Sequence, residues 1–546
     1  MAGSVDDGGA SPALNTYNSL IAIGVPTALL LTYLTRVALQ WYRLSHIPGP
    51  FWASISTYWI ISKSLRGQLP FATKELTDKY GPLVRVSPTD LVTSDPDIVR
   101  KTTAVRSEYT RGPWYDAMKL EPGRDNLFSM RDEAAHLKLR NKMAPGYSGK
   151  ENESMEGTVD EQVAAFIDLI ETKYISTATE YRPMDLALKT QYFTLDVISA
   201  LAFGKPMGYL KQDVDLHDYI KITTTYVPVM MALSYVPWLA NLLHSRLLRG
   251  VLPKESDKLG FGAFINVARK AVAERFASED SKPKSDMLGS FIRHGLTPEE
   301  ASSEALLQII AGSDTSASTI RAVMLHTLAN ASSYTRLQAE IDNGIAAGTI
   351  SSPITDAEAR QLPYLQATIK EGLRILPPAS GSNFKSVPAG GDILAGKFIP
   401  AGTQIGSSYL SIQHSTDIFG PDAELFRPER WLDASEDPAR LAHMASTVEL
   451  VFHYGKYKCL GQNVALMEFN KVFVELLRRF DFSIVHPHEA AKIYNAGMWI
   501  MEDFSVRVTR RVVWLRHDQG GVRCASQCRS ADALVRSYGG LRQMST

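Results

Sequence analysis

Uncharged residues dominate one stretch near the start of the chain. Positions 20–35 are almost wholly uncharged, and an apolar segment at 37–39 continues the run beyond Arg36. An α-helix needs about 20 apolar residues to cross a bilayer, and a long basic side chain near its end can reach the interface. The pattern therefore predicts a transmembrane helix over residues 19–42, with residues 1–18 on its luminal side.

The residues around this run predict its orientation. Asp6 and Asp7 precede it, whereas Arg36 and Arg43 lie at its end, and basic residues favour the cytoplasmic side. A cleaved signal peptide is the alternative, but it requires positive charge before the run and a small-residue cleavage site after it. Neither is present, so we expect a single-pass anchor with a cytoplasmic body. A stiff proline-containing hinge over residues 43–50 would join the two.

Periodicity in the body, residues 51–511, predicts a mainly helical fold with a few small sheets (α+β). From about residue 96 to 376 the spacing of apolar positions is mostly helical. One pattern over residues 297–330 predicts a helix long enough to cross a whole domain. Thr297 is a good N-cap for it, because Pro and two Glu residues follow.

The pattern changes after two consecutive prolines at 377 and 378. Short strand-like pieces alternate there with Gly and Pro, at 384–387, 393–399 and 404–412. A last helix is predicted over 462–479, and the segment after it ends the fold as strands. The Gly-, Ser- and Arg-rich tail, residues 512–546, is expected to be disordered.

Charge and cysteine content narrow the class of protein. The formal net charge is zero, which disfavours nucleic-acid binding through a basic field. Of the 3 cysteines only Cys459 lies in the body, so the chain has no disulfide framework. A structural zinc site in the tail would need four ligands, and only His517 lies near Cys524 and Cys528.

The predicted long helix has a weak middle, “AGSDT” at residues 311–315. These are poor interior residues, and Gly costs about 1 kcal/mol relative to Ala. One interpretation is a helix end, with a new helix capped at Ser313 or Asp314. The other is a local opening in which Gly312 lets a small ligand approach the backbone. Thr315 and Asp314 could then pass protons to that ligand.

Two charged residues on the helix before the paired prolines share one face. Glu371 and Arg374 are three positions apart, and such a pair is most often a surface ion pair. The segment “FRPERW” adds Arg430 in a proline-containing loop. A carboxylate held between two guanidinium groups would form a structural lock, because Arg offers a planar fork of donors.

The lone body cysteine lies in a glycine-bounded loop, “FHYGKYKCLG”. Gly455 precedes Cys459, Gly461 follows it, and a helix begins near residue 462. Backbone N–H groups at a helix start lower a thiol pKa. An inert buried cysteine is one interpretation. The other is a metal-binding thiolate, and haem iron needs only one axial protein ligand.

His136 and Arg140 lie one helical turn apart in “DEAAHLKLRNKM”. Such a pair is most often solvated surface, but with haem present both side chains could bind its propionates.

Taken together and in this order, these segments resemble those of a cytochrome P450. The resemblance rests on Ala311-Gly312-x-Asp314-Thr315, Glu371-x-x-Arg374, Pro428-Glu429-Arg430-Trp431 and Phe452-x-x-Gly455-x-x-x-Cys459-x-Gly461. It covers roughly residues 48–510. Two further segments, “DVISALAFG” and “RDEAAHLKLRNKMAPGYSGKE”, are similar to fungal microsomal members of the pisatin-demethylase-like type. The resemblance implies that family's fold, with a long central helix over haem b and small β-sheets.

The resemblance also implies roles for the matched residues. Cys459 would be the axial thiolate of the haem iron. Thr315 and Asp314 would serve dioxygen activation and proton delivery beside Ala311 and Gly312. The structural triad would be Glu371, Arg374 and Arg430. The other residues expected to contact the haem are His136, Arg140, Lys385, Phe452, Gly455, Tyr457 and Gly461.

Two positions depart from the family's usual pattern. Tyr457 stands two residues before the cysteine, where Arg or His is usual, and its hydroxyl brings no positive charge. Lys456 or Lys458 could supply that charge, or face a redox partner. Lys385 stands where Arg is common, and it would act on a propionate as a point charge rather than a fork.

The implied function is insertion of one oxygen atom from dioxygen into an apolar small molecule, in fungal secondary metabolism. Electrons would come from NADPH through cytochrome P450 reductase, with cytochrome b5 as a second donor. The location would be the endoplasmic reticulum membrane. A peroxide-driven peroxygenase and a non-catalytic haem-binding protein are the alternatives. The candidate substrate contacts, expected to favour a bulky terpenoid or polyketide-like compound, are Trp114, Tyr115, Ile309, Ile310, Ala379, Ser380, Met498 and Trp499.

Overall fold

The structure is a computed structural model. It describes residues 12–511 except 153, 249, 254–256, 258–259 and 278–284, and also residues 514–516 and 522–524. The first helices are α1 (Pro12–Arg43), α2 (Phe51–Ile55), α3 (Tyr58–Leu65), α4 (Leu69–Tyr80), α5 (Pro96–Thr103), α6 (Glu133–Tyr147), α7 (Met155–Leu169) and α8 (Leu186–Phe203). Next come α9 (Tyr209–Gln212), α10 (Tyr219–Ser234), α11 (Pro237–Leu243), α12 (Gly260–Ala277), α13 (Met287–Arg293), α14 (Pro298–Ala329) and α15 (Ala331–Ala346). The last are α16 (Asp356–Ala359), α17 (Pro363–Ile375), α18 (Tyr409–Gln413), α19 (Thr416–Phe419), α20 (Glu429–Asp433), α21 (Pro438–Val448) and α22 (Gln462–Leu477).

The strands are short and form small sheets. They are β1 (Leu83–Arg85), β2 (Asp90–Thr93), β3 (Thr110–Arg111), β4 (Pro183–Asp185), β5 (Lys385–Ser386), β6 (Asp392–Leu394), β7 (Lys397–Ile399), β8 (Gln404–Ser407), β9 (Phe480–Ile484), β10 (Lys492–Asn495), β11 (Trp499–Glu502), β12 (Ser505–Arg510), β13 (Trp514–Arg516) and β14 (Val522–Cys524). One sheet has the order β1-β2-β8-β5-β3 and another the order β4-β12-β9; β6-β7, β10-β11 and β13-β14 are two-stranded. The predicted mainly helical fold with small sheets is confirmed.

The long helix α14 runs through the centre of the protein without a break. Its N-terminus has a capping box, in which Thr297 and Glu300 each accept a backbone N–H of the other. In the weak middle, the Ser313 hydroxyl donates to the carbonyl of Ile309 (2.7 Å) and the Thr315 hydroxyl to that of Ala311 (2.8 Å). Both bonds reach back one turn, so the helix continues, and the interpretation as a helix end is wrong.

Close helix packing around α14 requires glycine at two positions. A Cβ on Gly312 would lie 2.7 Å from Cγ1 of Ile198 in α8, and one on Gly372 would lie 2.2 Å from Cγ2 of Val323. Neither distance is tolerable for carbon atoms, so the absence of a side chain lets α8 and α17 approach α14. These helices contribute to the largest cluster of buried apolar side chains.

The anchor helix is joined to the body by a buried arginine. The helix α1 ends at Arg43, and its Ile23–Arg43 segment is apolar and long enough, by length and composition, to cross a membrane. The Arg85 guanidinium in β1 donates to the carbonyls of Gln40 (3.0 Å) and Trp41 (3.2 Å), and also to those of two residues after β1. The carbonyls at the C-terminus of α1 therefore accept hydrogen bonds from the body. These bonds hold the end of α1 in addition to the short chain connection over residues 44–50.

Two terminal segments differ in part from expectation. The helix α1 begins at Pro12, inside the segment expected to be luminal, while residues 1–11 lie outside the described part of the chain. In the tail, β13 and β14 pair as a hairpin with Trp514 opposite Cys524. These two strands contain apolar and β-branched residues, which favour strands. The average composition of the tail is polar and does not reveal them. The rest of 512–546, including His517 and Cys528, lies outside the described residues.

Candidate haem site and comparison with known proteins

The backbone of the cysteine loop is fixed by a hydrogen bond and by a glycine. The Cys459 N–H donates to the carbonyl of Phe452 (2.8 Å). Gly455 has a φ of +58°, and a Cβ there would lie 2.2 Å from the carbonyl oxygen of Thr103, so only glycine fits. Burial raises the pKa of the Cys459 thiol, and N–H donation from Gly461 and the next residue opposes that rise. Part of the cysteine surface nevertheless stays accessible, as expected for a residue that lines an internal space.

A second accessible surface lies at the middle of α14. Ala311 is exposed, although Ile310 before it is buried and Gly312 after it is half-buried. Tyr147 connects this face with the cysteine loop, since it hydrogen-bonds Gln308 of α14 and its ring lies 4.0 Å from where a Cβ of Gly461 would be. We infer that Ala311 and Cys459 face the same internal space.

Gly312 has a packing role that its place in the motif does not suggest. Its α-carbon faces Ile198 of α8 at a distance that excludes a methyl group. Its lack of a side chain is thus required for helix–helix packing, and its part in ligand approach stays a prediction. The sequence could not show this, because Ile198 belongs to a distant helix.

The Asp314 carboxylate is directed away from the Ala311 face. Its Oδ1 accepts hydrogen bonds from Gln191 Nε2 (2.6 Å) and from the Tyr219 hydroxyl (3.3 Å). Burial raises its pKa to about 6, against the opposing effect of Arg321. It also lines a cavity of about 50 Å³ between α10, α14 and β11, where Thr223 is among the polar residues.

The predicted triad is present and fully enclosed. Glu371 Oε1 accepts from Arg374 Nη2 (2.8 Å) and Arg430 Nε (3.0 Å), and its Oε2 accepts from Arg374 Nε (2.9 Å) and Trp431 Nε1 (2.9 Å). All three charged side chains have an exposed fraction of 0%. Burial alone would raise the pKa of Glu371, but Arg374 and Arg430 hold it below its ordinary value.

The predicted propionate contacts are basic residues that lie in or near the protein interior. His136 and Arg140 make no side-chain hydrogen bond or ion pair with the described part of the chain. Burial, together with Arg111 and Arg140, lowers the pKa of His136 to about 3, so this imidazole is neutral at pH 7. Burial and Arg111 likewise lower the pKa of Lys385 well below its ordinary value. Sequence reasoning missed Arg111, which has no periodic or motif signal and reaches the cluster through strand pairing.

Tyr457 has a partner that the sequence did not suggest. Its hydroxyl donates to Glu133 Oε1, and Lys456 forms an ion pair with the other oxygen of that carboxylate (3.3 Å). The Tyr457 ring lies beneath Arg111 and Lys385, at 4.6 Å and 4.9 Å from ring centroid to cation. Glu133 thus occupies the hydroxyl that was expected to be available to a propionate.

The candidate substrate contacts divide into two groups. Trp114 and Tyr115 pack with α10 residues and Met498 in one apolar cluster. Ala379 pairs with Met498 as an isolated bridge, and Ser380 N–H donates to the carbonyl next to it (2.8 Å), which brings Ala379, Ser380, Met498 and Trp499 together. Ile309 and Ile310 instead belong to the main core, with exposed fractions of 0% and 7%. For these two the expected substrate contact is replaced by core packing.

The mainly helical fold and the accessible Cys459 thiol in its glycine-bounded loop agree with a haem-thiolate oxidoreductase. Residues 47–506 match the family model described as Cytochrome P450. The chain therefore belongs to the cytochrome P450 family, whose members bind haem through a cysteine thiolate.

Known fungal proteins resemble the chain over most of its length. Cytochrome P450 monooxygenase ABA1 of Pyricularia oryzae is 40% identical over 496 residues, which cover 89% of this chain and 96% of the relative. Cytochrome P450 monooxygenase aba1 of Botryotinia fuckeliana is 40% identical over 470 residues, 85% and 92% of the two chains. A cytochrome P450 monooxygenase of Aspergillus terreus is 29% identical over 490 residues, 86% and 96%.

The residues present fit a haem. Among the described residues no three His, Cys, Asp or Glu side chains come together as a metal site, and one thiol agrees with one axial protein ligand. Donors left over on the buried His136 imidazole, on the half-buried Arg140 guanidinium and on the buried Lys385 amine match the two negative propionates. The Arg111 Nε is also buried without a partner.

Replacing Glu371 by Ala should destabilise the protein strongly. The change leaves two buried guanidinium groups without their carboxylate, and breaking such a pair costs about 3–5 kcal/mol. We expect a thermal midpoint at least several degrees lower and little haem-containing protein in membranes. Glu171→Ala is the matched control, because it breaks an exposed ion pair with Arg510 (2.5 Å). Equal behaviour of the two variants would contradict the role of the triad.

Proposed function

We propose that this protein is a membrane-anchored monooxygenase that inserts one oxygen atom from dioxygen into an apolar small molecule in fungal secondary metabolism. The observation that carries the proposal is the accessible Cys459 thiol in a glycine-bounded loop, with Arg140 near enough to favour its thiolate form. The names of the fungal relatives support a monooxygenase. The apolar cluster around Trp114 and Met498 supports a bulky apolar substrate.

Cys459 would hold the haem as its axial ligand, and His136, Arg140 and Lys385 would hold its propionates. The bound haem supplies dioxygen binding and cleavage of the O–O bond. Gly461 and the residue after it donate backbone N–H groups to the sulfur, which stabilises the thiolate over the thiol. Phe452 fixes the loop through its carbonyl and not only by packing near the sulfur.

Asp314 and Thr315 would deliver protons. Asp314 holds a proton below a pH of about 6 because burial disfavours its charged form, and it borders the small polar cavity. Thr315 is half-buried on the next position of α14, and its hydroxyl donates to Ala311 (2.8 Å). We propose that Asp314 takes protons from the cavity side and Thr315 presents them at the Ala311 side.

Asp314→Asn should uncouple electron consumption from product formation. With the raised pKa, the protonated fraction of Asp314 falls as pH rises through about 6. Product per NADPH should therefore decline with rising pH in the wild type, and be low and flat in Asp314→Asn. Comparing product with NADPH consumption between pH 5 and 8 tests this. Asp417→Asn, at an exposed aspartate of α19, is the control. An unchanged pH profile in Asp314→Asn would contradict the relay.

We further propose that NADPH-cytochrome P450 reductase docks beside the cysteine loop, with cytochrome b5 using the same face. A surface cavity of about 590 Å³ lies there, lined by basic Arg100, Arg106 and Lys458 and by the exposed ring of Tyr454. Lys458 precedes the cysteine directly, so a partner seated there would approach the haem edge through one loop. Basic residues at the rim would steer an acidic partner.

Charge reversal on this face should slow reduction without changing the haem site. Arg106→Glu and Lys458→Glu are expected to lower the first-electron rate by about tenfold at low salt, and less at high salt, because exposed charges are screened. Stopped-flow reduction with purified reductase measures it. Lys205→Glu, an exposed lysine in the loop after α8, is the control. A loss shared by that control, or none at all, would contradict the docking face.

The anchor supports a location in the endoplasmic reticulum membrane with the body in the cytoplasm. The Ile23–Arg43 segment is long enough to span a bilayer, and Arg85 holds its end against the body. Exposed Phe51, Trp52 and Tyr58 follow directly after the connection, as expected for residues near a membrane interface.

The central test is the reduced carbon-monoxide difference spectrum of microsomal membranes containing the protein. Wild type should show a thiolate-type Soret band, and Cys459→Ala should lose it while the membranes still contain the chain. Wild-type membranes without such a band would refute the proposal. Turnover with hydrogen peroxide but not with NADPH and reductase would favour a peroxygenase. A normal band with no product from any compound of a broad apolar panel would favour a non-catalytic haem protein.

A further inference from the structure

Two buried cations lie directly opposite each other in a two-residue ladder. The strands β3 and β5 are antiparallel, and Arg111 is the partner of Lys385. Their exposed fractions are 5% and 3%, and neither forms an ion pair with the described part of the chain. Like charges directly opposite across a ladder are destabilising, and burial increases that cost. Such an arrangement needs a compensating interaction.

Two tyrosine rings provide part of that compensation. Arg111 lies over the rings of Tyr115 (5.1 Å) and Tyr457 (4.6 Å), and Lys385 lies over the same two rings (4.9 Å each). The face of an aromatic ring attracts a cation, most strongly when water is excluded. The Tyr457 ring is fixed at its other end, because its hydroxyl donates to Glu133. We call Arg111 and Lys385 the cation pair, and Tyr115 and Tyr457 the tyrosine pair.

The cation pair retains donors that the protein does not use. Lys385 Nζ donates to the Tyr115 hydroxyl (2.7 Å) and the carbonyl of Asn383 (2.6 Å), which leaves one of its three N–H groups. The Arg111 Nη1 donates to two backbone carbonyls (2.8 Å each), while its Nε is buried without a partner. Two convergent cations with donors left over form a site for a carboxylate.

We propose that the tyrosine pair holds the cation pair as a two-pronged carboxylate site, with Tyr457 as the residue that positions it. This inference rests on the proposed function, because the carboxylate it would bind is a haem propionate. Tyr457 then replaces the usual basic side chain by organising two other cations rather than by supplying charge. Arg111 becomes a propionate-binding residue.

The inference predicts an order of haem retention among Tyr457 variants. Tyr457→Phe keeps the ring and should lose haem within about twofold of the wild-type rate. Tyr457→Leu removes the ring from both cations and should lose haem about tenfold faster, in line with cation–π contacts between buried groups. Tyr457→Arg, which restores the usual kind of residue, should also lose haem about tenfold faster, since it adds a third positive charge.

The measurement is the rate of haem transfer from the purified holoprotein to excess apomyoglobin, with the carbon-monoxide spectrum recorded for each variant. Tyr181→Leu, an exposed tyrosine in the loop before β4, is the matched control and should behave as wild type. A Tyr457→Leu rate equal to wild type, or a Tyr457→Phe rate as fast as Tyr457→Leu, would overturn the inference. If Tyr457→Leu does not accumulate, the Tyr457→Arg variant is decisive. Haem loss from Tyr457→Arg that is as slow as from wild type, or slower, would overturn the inference.

A double-mutant cycle separates positioning from general loosening of the loop. In a Lys385→Met background the effect of Tyr457→Leu should shrink to less than about threefold, because one of the cations it positions is gone. An undiminished tenfold effect there would overturn the inference. Failure of the proposed function is recognised separately, because the wild type would then show no thiolate-type band before any Tyr457 variant is made.

Discussion

The Glu371 carboxylate, buried between two guanidinium groups, is the interaction on which the rest of the structure depends. Its four oxygen contacts with Arg374, Arg430 and Trp431 join α17 to the chain before the cysteine loop. The two arginines also donate to the backbone carbonyls of Asp422, Ala423 and Leu425, in the irregular segment between α19 and α20. This irregular segment thereby acquires a defined path, and the cysteine loop follows from it through α21.

The two buried ion clusters differ in how completely they are satisfied. Around Glu371 the charges cancel and the donors have partners, which is the condition under which a buried ion pair is tolerated. Around Arg111 and Lys385 the charges are alike, a donor nitrogen of Arg111 lacks a partner, and the nearest carboxylate, Glu133, is already shared with Tyr457 and Lys456. The first pattern serves the fold alone. The second leaves like charges and a buried donor without a partner, so it supports a site for a negative ligand.

The sequence predicted those features that depend on neighbours close along the chain. The helix cap at Thr297, the Glu371–Arg374 pair and the glycines of the cysteine loop all follow from local spacing, and the helical fold with small sheets is confirmed. Contacts between distant segments were missed or misread. Gly312 is explained by a side chain on another helix, and Arg111 acquires its role from the register of a two-residue ladder. The roles of the individual haem-contacting residues stay predictions.

The geometry of α14 limits how protons can reach the haem. Successive residues of an α-helix are rotated by about 100°, so Asp314 and Thr315 cannot face the same ligand. Asp314 is turned toward Gln191 and Tyr219 beside the small cavity, and Thr315 lies nearer the accessible face of Ala311. A relay through both must therefore pass around the helix, with each group acting on its own side. The raised pKa of Asp314 suits its place beside the small cavity, because a group near its pKa both takes up and releases protons readily.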